Sequence, residues 1–157
     1  MDILVISNED LCRSRMAQEL LNSFGRGMKI TTAGIAEGSH VPEVVCRVME
    51  RNGYEVSRKK PVLVSACTHQ NWDFVITLCT EAEDELKYLN LQTGNVAHLH
   101  FEDALQDSHL DEGELEQRLE HLYKQMYHDL FEFYRDILSE QLRPHCTCGA
   151  NDYCRCE

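Results

Sequence analysis

Short apolar runs alternate with amphipathic stretches through the first hundred residues of the chain. Runs rich in β-branched residues predict strands, and apolar residues spaced three and four apart predict helices. We therefore predict strands at residues 3–6, 29–33, 73–78 and 96–101. Helical spacing follows the first two strands, at Met16, Leu20, Leu21 and Phe24 and then at Val44, Val45, Val48 and Met49.

This alternation of strands and helices indicates the fold class. Strand–helix–strand repeats build parallel sheets, with right-handed crossovers that place helices on the faces. Residues 73–78 form a nearly continuous apolar run, which is typical of a strand covered on both faces. We predict an α/β fold with a four-stranded parallel sheet flanked by helices on both faces. Such sheets bind ligands where the carboxyl ends of the strands meet.

A long amphipathic helix is predicted for residues 113–142. Its apolar stripe recurs every three or four positions, at Leu115, Leu119, Leu122, Met126, Leu130, Phe133 and Ile137. At 1.5 Å per residue such a helix is roughly 45 Å long, which is more than a small sheet can cover. We therefore expect its far end either to break or to pair with a second copy as a homodimer. The α/β domain is predicted to span residues 1–142, and residues 143–157 form a separate cysteine-rich tail.

Charge and composition narrow the range of partners. The formal net charge is −12 over 157 residues, and residues 101–142 carry 12 acidic and 3 basic side chains. Because an acidic protein repels phosphate backbones, we do not expect nucleic acid as a partner. No apolar run reaches the roughly 18 residues of a membrane helix, and the N-terminus lacks the pattern of a signal peptide. We expect a cytoplasmic protein that binds no membrane.

Four of the eight cysteines lie in the tail, as two Cys-x-Cys pairs separated by five residues: Cys146, Cys148, Cys154 and Cys156. Four thiolates can enclose a tetrahedral Zn²⁺. Two interpretations stay open, a zinc site that docks a partner or joins two chains, and a tail that carries exposed thiols or disulfides. We expect no cofactor in the α/β domain.

The segment between the first strand and the first helix is a candidate phosphate-binding loop, or P-loop. Successive backbone N–H groups in such a loop can surround an oxyanion, with a helix N-terminus behind them. An arginine at its end can add a two-pronged contact to phosphate oxygens. By spacing alone, an ordinary strand–helix loop is the simpler interpretation. The candidate residues are Ser7, Asn8, Glu9, Asp10, Leu11, Cys12, Arg13 and Ser14.

Further motifs, in a fixed order and spacing, connect this loop to a known family. They are Leu11-Cys12-Arg13-Ser14 with Met16-Ala17-Gln18, Thr32-Ala33-Gly34, Val41-Pro42, and Asp73-Phe74-Val75-Ile76-Thr77-Leu78-Cys79 with Glu81-Ala82. From Ile3 to about Ile137 the chain resembles the low-molecular-weight protein tyrosine phosphatases, a family that includes thioredoxin-coupled arsenate reductases. The fold that this resemblance implies, a four-stranded parallel sheet flanked by helices, agrees with the predicted elements.

The resemblance implies roles for particular residues. In the family the loop reads Cys-x5-Arg-Ser, so that Arg13 would hold the oxyanion together with the loop amides. Ser14 would support a low pKa of the nucleophile. The nucleophilic cysteine itself corresponds to Ser7. The general acid corresponds to Asp103, although the proline that follows it in the family is Ala104 here.

A hydroxyl in place of a thiolate is a large chemical change. A thiol pKa falls beside a helix N-terminus and an arginine, whereas a serine hydroxyl needs an adjacent base. Cys12 does not restore the motif, because Gln18 stands six positions later. Cys79 matches one resolving cysteine of the arsenate reductases, but the second position holds Leu86. We therefore expect Cys12 and Cys79 to be buried thiols.

Two acidic residues also distinguish the loop. Where the family has glycine and then asparagine, this chain has Glu9 and Asp10. At about 5 Å and an effective dielectric of 20, each carboxylate would oppose a bound anion by on the order of 3 kcal/mol. We therefore expect weakened phosphate binding. A further hypothesis is a cation site formed by oxygen ligands and nearby imidazoles, at Glu9, Asp10, Glu102 and Asp103 with His98 and His100.

Three functions are compatible with the sequence. The first is a catalytically impaired family member, a pseudoenzyme, that acts as a binding or regulatory protein. It would bind a phosphate-like anion or phosphorylated ligand at the loop, or a partner through its tail. The second is an active phosphatase or arsenate reductase-like enzyme, with Ser7 or another residue as nucleophile, Arg13 holding the phosphate and Asp103 as the acid. The third is a metal-dependent interaction protein centred on the tail.

Overall fold

A computed structural model describes residues 1–142 of the protein. The predicted boundary of the tail and its four cysteines lie outside the described residues. The elements in chain order are β1 (Asp2–Ser7), α1 (Arg13–Phe24), β2 (Lys29–Gly34), α2 (Glu43–Arg51), a 3₁₀ turn (Val64–Cys67), β3 (Asn71–Trp72), β4 (Phe74–Thr77), α3 (Thr80–Leu86), β5 (Gln92–Thr93), β6 (Val96–His98), α4 (Glu112–Phe133), a π-helical segment (Tyr134–Leu138) and α5 (Ser139–Leu142).

The main sheet has four parallel strands in the order β2-β1-β4-β6, which confirms the predicted α/β class. β1 lies in the interior of the sheet, where Ile3 is in register with Ile30 of β2 and with Phe74 of β4. All four residues of β4 are buried, as the continuous apolar run predicted. Because β1 is central, the loop that follows Ser7 emerges at the middle of the carboxyl edge.

Apolar side chains fill both faces of this sheet. Ile3 and Val5 of β1 join a large cluster with residues of α1, α2 and α4. Leu4 and Ile6 point to the other face and join a smaller cluster that contains Trp72. Alternate residues of a strand point to opposite faces, so one buried strand anchors both layers. Within residues 1–142 no helix is both long and apolar enough to cross a membrane.

The fourth strand of the main sheet is shorter than predicted. Regular pairing in β6 ends at His98, although residues 96–101 were predicted as one strand. The chain beyond β6 still pairs irregularly with its neighbour, because Leu99 N–H donates to Thr77 O at 2.9 Å and Phe101 N–H to Leu78 O at 3.1 Å. A second parallel pair, β3 with β5, was not predicted, since two-residue strands leave no detectable periodicity.

The long C-terminal helix is continuous as far as Leu142, within the part of the chain that the structure describes. Asp111 caps its start by accepting a hydrogen bond from Glu114 N–H at 2.8 Å. One predicted core position is wrong, because Ile137 is 41% exposed whereas Leu138 is fully buried. The π-helical segment explains this difference, since its wider turn shifts the register of the buried stripe by about one residue.

Candidate functional site

The candidate loop follows β1 directly and leads into α1, which begins at Arg13. It packs closely on the segment after β2, where Ala36 N–H donates to Asn8 O at 2.8 Å. A Cβ atom at Gly34 would lie 2.8 Å from the backbone carbon of Glu9, and one at Gly38 would lie 2.5 Å from the Glu9 carbonyl oxygen. The loop can therefore lie against this segment because both positions lack a side chain.

Most backbone N–H groups of the loop have no acceptor within residues 1–142. Asp10 N–H donates to Ser7 Oγ at 3.2 Å. By contrast, the N–H groups of Asn8, Glu9, Leu11 and Cys12 donate to no acceptor within residues 1–142. The loop borders a cleft of about 220 Å³ that Asp103 and Gln106 close from the other side. Clustered N–H groups beside a helix N-terminus are suited to hold an oxyanion.

Arg13 lies at this cleft and is 6% exposed. Its Nη1 donates to Phe101 O at 2.8 Å, and its Nη2 lies 3.6 Å from Asp103 Oδ2. The Asp103 side chain is 30% exposed, and its Oδ1 accepts a hydrogen bond from Leu105 N–H at 3.0 Å. The structure thus brings together Ser7, Arg13 and Asp103 at one cleft, although Asp103 lies far along the chain from the loop that carries the other two.

A chain of hydrogen bonds runs from Ser7 beneath the loop. Ser14 Oγ lies 2.8 Å from Asp10 Oδ1, and Ser7 Oγ lies 3.0 Å from Ser14 Oγ. An ionised carboxylate only accepts hydrogen bonds, so Ser14 donates its proton to Asp10. The Ser14 oxygen then accepts the proton of Ser7. The hydroxyl proton of Ser7 is therefore directed away from the cleft.

Asp10 does not face the cleft, which corrects the expectation that its charge would oppose a bound anion. Its fully buried carboxylate pairs with Arg15, at 2.9 Å from Nη2 to Oδ2 and 3.1 Å from Nε to Oδ1. Val62 N–H also donates to Oδ2 at 3.1 Å. The backbone of Asp10 has a φ of 50°, a left-handed conformation that aspartate tolerates. Glu9, in contrast, is exposed and lies at the rim of the cleft.

Arg15 is the main residue at the loop that the sequence did not predict. It is 3% exposed and reaches beyond the loop to Ser57 O at 3.4 Å and Lys60 O at 3.3 Å. Its only signal in the sequence is its position in the first turn of a predicted helix, five residues after Asp10. The contact of Arg13 with the Phe101 carbonyl had no sequence signal, because any residue could supply that oxygen.

The hypothetical cation site is not assembled. Asp10 is paired with Arg15, and Asp103 lies against Arg13. The two imidazoles have other partners: His98 Nδ1 lies 2.6 Å from Thr77 Oγ1, and His100 Nε2 lies 2.8 Å from Glu83 Oε2. Throughout the described part of the chain there is no group of three or more histidines, cysteines or carboxylates placed to hold a metal ion.

Cys12 and Cys79 are buried, as expected, at 5% and 4% exposure. Burial, followed by the nearby Asp103 carboxylate, raises the pKa of the Cys12 thiol to about 12, although Arg13 acts in the opposite direction. Burial is also the main reason that the pKa of Cys79 is raised. Because a thiolate is the nucleophilic form of cysteine, neither side chain is activated at neutral pH.

Comparison with known proteins agrees with this architecture. A family model described as low molecular weight phosphotyrosine protein phosphatase matches residues 2–143. Since this match covers most of the 157 residues, the chain belongs to that family. No curated protein matches the sequence significantly.

Solved structures with low sequence identity share the fold. Vibrio vulnificus Wzb, in complex with benzylphosphonate, is 18% identical with a TM-score of 0.68, covering 85% of this chain and 97% of its own. An arsenate reductase from Archaeoglobus fulgidus is 21% identical with a TM-score of 0.59, covering 82% and 98%. The Drosophila arginine phosphatase DARP is 14% identical with a TM-score of 0.64, covering 91% and 99%.

Proposed function

We propose that this chain is a catalytically impaired member of its family that binds phosphate-like anions at the Ser7–Ser14 loop and acts as a binding or regulatory protein. The observation that carries the proposal is the side chain at Ser7. A hydroxyl stands six residues before Arg13, where the family motif has its nucleophilic cysteine. The donors that would hold an anion remain around it.

The surroundings of Ser7 support the loss of catalysis. A serine nucleophile needs a base that removes its proton. The proton of Ser7 is directed to Ser14, and the hydrogen-bond chain ends at the Asp10 carboxylate. That carboxylate is held by Arg15 at 2.9 Å, so protonating it would break a buried ion pair. The raised pKa of Cys12 argues against a substitute thiolate.

The anion-binding side of the loop supports retained binding. Arg13 is buried at the cleft, and several loop N–H groups have no acceptor within residues 1–142. Charge-assisted hydrogen bonds from such donors are stronger than neutral ones. Vibrio vulnificus Wzb, which shares this fold, is in complex with benzylphosphonate, and this supports a phosphate-like ligand for the present chain.

A titration with phosphate and vanadate tests the proposal. We expect saturable binding in calorimetry, with amide chemical-shift changes confined to Ser7–Ser14 and its neighbours. Arg13→Ala should abolish this binding, whereas Arg26→Ala, which removes an exposed arginine outside the cleft, should leave it unchanged. Absence of saturable binding up to tens of millimolar would contradict the proposal.

An active phosphatase is the alternative, and the position of Asp103 favours it. The Asp103 carboxylate lies at the cleft beside Arg13, where an acid could protonate a leaving group. Turnover of an aryl phosphate by the wild type, lost in Ser7→Ala, would support this alternative. Our proposal predicts no turnover by the wild type and measurable turnover by Ser7→Cys. The arsenate reductase relay is disfavoured, because Leu86 occupies the second cysteine position.

We also propose that the cysteine-rich tail binds Zn²⁺. The proposal rests on the sequence alone, since Cys146, Cys148, Cys154 and Cys156 lie outside the described residues. Four thiolates provide a complete tetrahedral ligand set. We expect one zinc per chain by elemental analysis of the purified protein, and none in a variant with all four cysteines changed to serine. Zinc retained by that variant would contradict a site in the tail.

A further inference from the structure

The side chains around the cleft present acceptors as well as donors to any anion bound there. We propose that the loop prefers oxyanions that carry a proton, such as hydrogen phosphate, over fully deprotonated oxyanions such as sulfate. This inference rests on the proposed function and specifies its ligand class. Asp103 is the residue that would make the distinction.

Asp103 lies beside the guanidinium group that a bound anion would contact. Its Oδ2 lies 3.6 Å from Arg13 Nη2, so an anion that approaches this guanidinium also approaches a carboxylate oxygen. The other oxygen, Oδ1, already accepts Leu105 N–H. A bound anion that carries a hydroxyl can donate it to Oδ2. A fully deprotonated anion would place its own acceptor against this carboxylate.

The Ser7 side chain offers a bound anion an acceptor oxygen and no proton. Its hydroxyl proton goes to Ser14 Oγ, and its oxygen accepts Asp10 N–H. A hydroxyl has one donor and two acceptor sites, so the side chain has no proton left for a ligand. An anion beside Ser7 therefore meets a second acceptor oxygen at this position, and a ligand hydroxyl is again better matched than a bare oxygen.

The positive charges near the loop are balanced by neighbouring carboxylates. Asp10 is paired with Arg15, and Arg13 lies beside Asp103, so each guanidinium near the loop already faces a carboxylate. Glu9 adds a further negative charge at the rim. The loop therefore has little net positive charge with which to hold a fully deprotonated dianion. Hydrogen bonding to the ligand then decides which oxyanion binds more tightly.

Phosphate and sulfate are matched probes of this inference. They have nearly the same size and shape, but at neutral pH every phosphate ion carries at least one proton and sulfate carries none. We expect the wild type to bind inorganic phosphate at least about tenfold more tightly than sulfate, measured by calorimetry at one pH and constant ionic strength. This ratio corresponds to about 1.4 kcal/mol.

Asp103→Asn replaces the carboxylate by an amide, which can donate a hydrogen bond to a bare oxygen. We expect this variant to bind sulfate more tightly and to bring the phosphate-to-sulfate ratio close to one. Glu102→Gln removes the same charge from the adjacent exposed residue, which forms no ion pair within residues 1–142. That control should keep the ratio of the wild type.

The outcomes separate this inference from the proposed function. Equal affinities for the two anions in the wild type would overturn the inference and leave anion binding intact. An unchanged ratio in Asp103→Asn, with the amide spectrum showing a folded protein, would also overturn it. If neither anion binds to any of the three proteins, the proposed function itself is wrong, and the inference falls with it.

Discussion

Two arginine–aspartate pairs lie at the Ser7–Ser14 loop, and they differ in burial, distance and partners. Asp10 and Arg15 are buried beneath the loop, with a shortest N–O distance of 2.9 Å. Arg13 and Asp103 lie at the cleft, 3.6 Å apart, and the Asp103 side chain is 30% exposed. The two arginines are neighbours on one helix turn, yet Arg15 contacts residues 57–60 and Arg13 contacts residues 101–103.

The difference separates a pair with a structural role from the pair at which we propose that an anion binds. The Asp10 carboxylate accepts hydrogen bonds from Ser14 Oγ, Val62 N–H and two nitrogens of Arg15. A buried carboxylate that is surrounded by donors has its desolvation compensated. In the pair at the cleft the two atoms lie farther apart and Asp103 is partly exposed, so under our proposal an anion can reach both side chains. Charge pairs of one chemical type thus have different roles because their environments differ.

The largest change in stability is expected when the buried carboxylate of Asp10 is removed. Asp10→Ala leaves the Arg15 guanidinium buried without its counter-charge, and we expect the free energy of unfolding to fall by about 3–5 kcal/mol. Asp103→Ala is the matched removal at the cleft, and we expect it to cost about 1 kcal/mol or less. Urea unfolding at neutral pH measures both values. Equal losses in the two variants would contradict the distinction.

The second test removes the arginine at the cleft. In Arg13→Ala the carbonyl of Phe101 loses a donor at 2.8 Å, whereas Asp103 regains access to water. We expect a loss of about 1–3 kcal/mol in the free energy of unfolding, the usual range for a hydrogen bond to a charged group. Urea unfolding gives this value. A loss as large as that of Asp10→Ala would place Arg13 among the structural residues.

The third test uses Cys12, whose thiol lies next to the pair at the cleft. Its pKa is raised from 9.0 to about 12, first by burial and then by the Asp103 carboxylate. Between these two values the unfolded chain binds fewer protons at this thiol, so stability falls as the pH rises. We expect a contribution of about 1.4 kcal/mol to be lost by pH 10.

The control for this prediction is Cys12→Ala, which lacks the titrating thiol. Its free energy of unfolding should fall less than that of the wild type between pH 8 and pH 10. Identical pH dependence in the two proteins, measured by urea unfolding, would show that the Cys12 thiol is not held in its neutral form by the fold.

The smallest effect is expected for charge pairs whose arginines are exposed at the surface. Glu116 lies 3.2 Å from both Arg47 and Arg51, in a row of ion pairs that joins α2 to α4. We expect Glu116→Gln to lower the free energy of unfolding by about 0.5 kcal/mol, because water screens such pairs. The difference from the wild type should vanish in about 1 M salt. A larger, salt-independent loss would contradict this ranking.

The sequence predicted the fold more completely than the site. Apolar periodicity located all four strands of the main sheet, since burial on a regular element repeats along the chain. It placed Ile137 in the core wrongly, because a π-helical segment changes the period within a helix. The loop position was predicted as well, but Asp10 was expected to face the cleft, and Arg15 was overlooked.

The order of residues therefore determined the parallel sheet and the position of the loop at its carboxyl edge. These properties follow from local composition and spacing. Only the tertiary structure decided which carboxylate each arginine meets. Asp10 and Arg15 are enclosed together because residues 57–62 cover them, whereas Asp103 and Arg13 are ninety residues apart in the sequence. Such contacts depend on segments that folding brings together, and no local pattern records them.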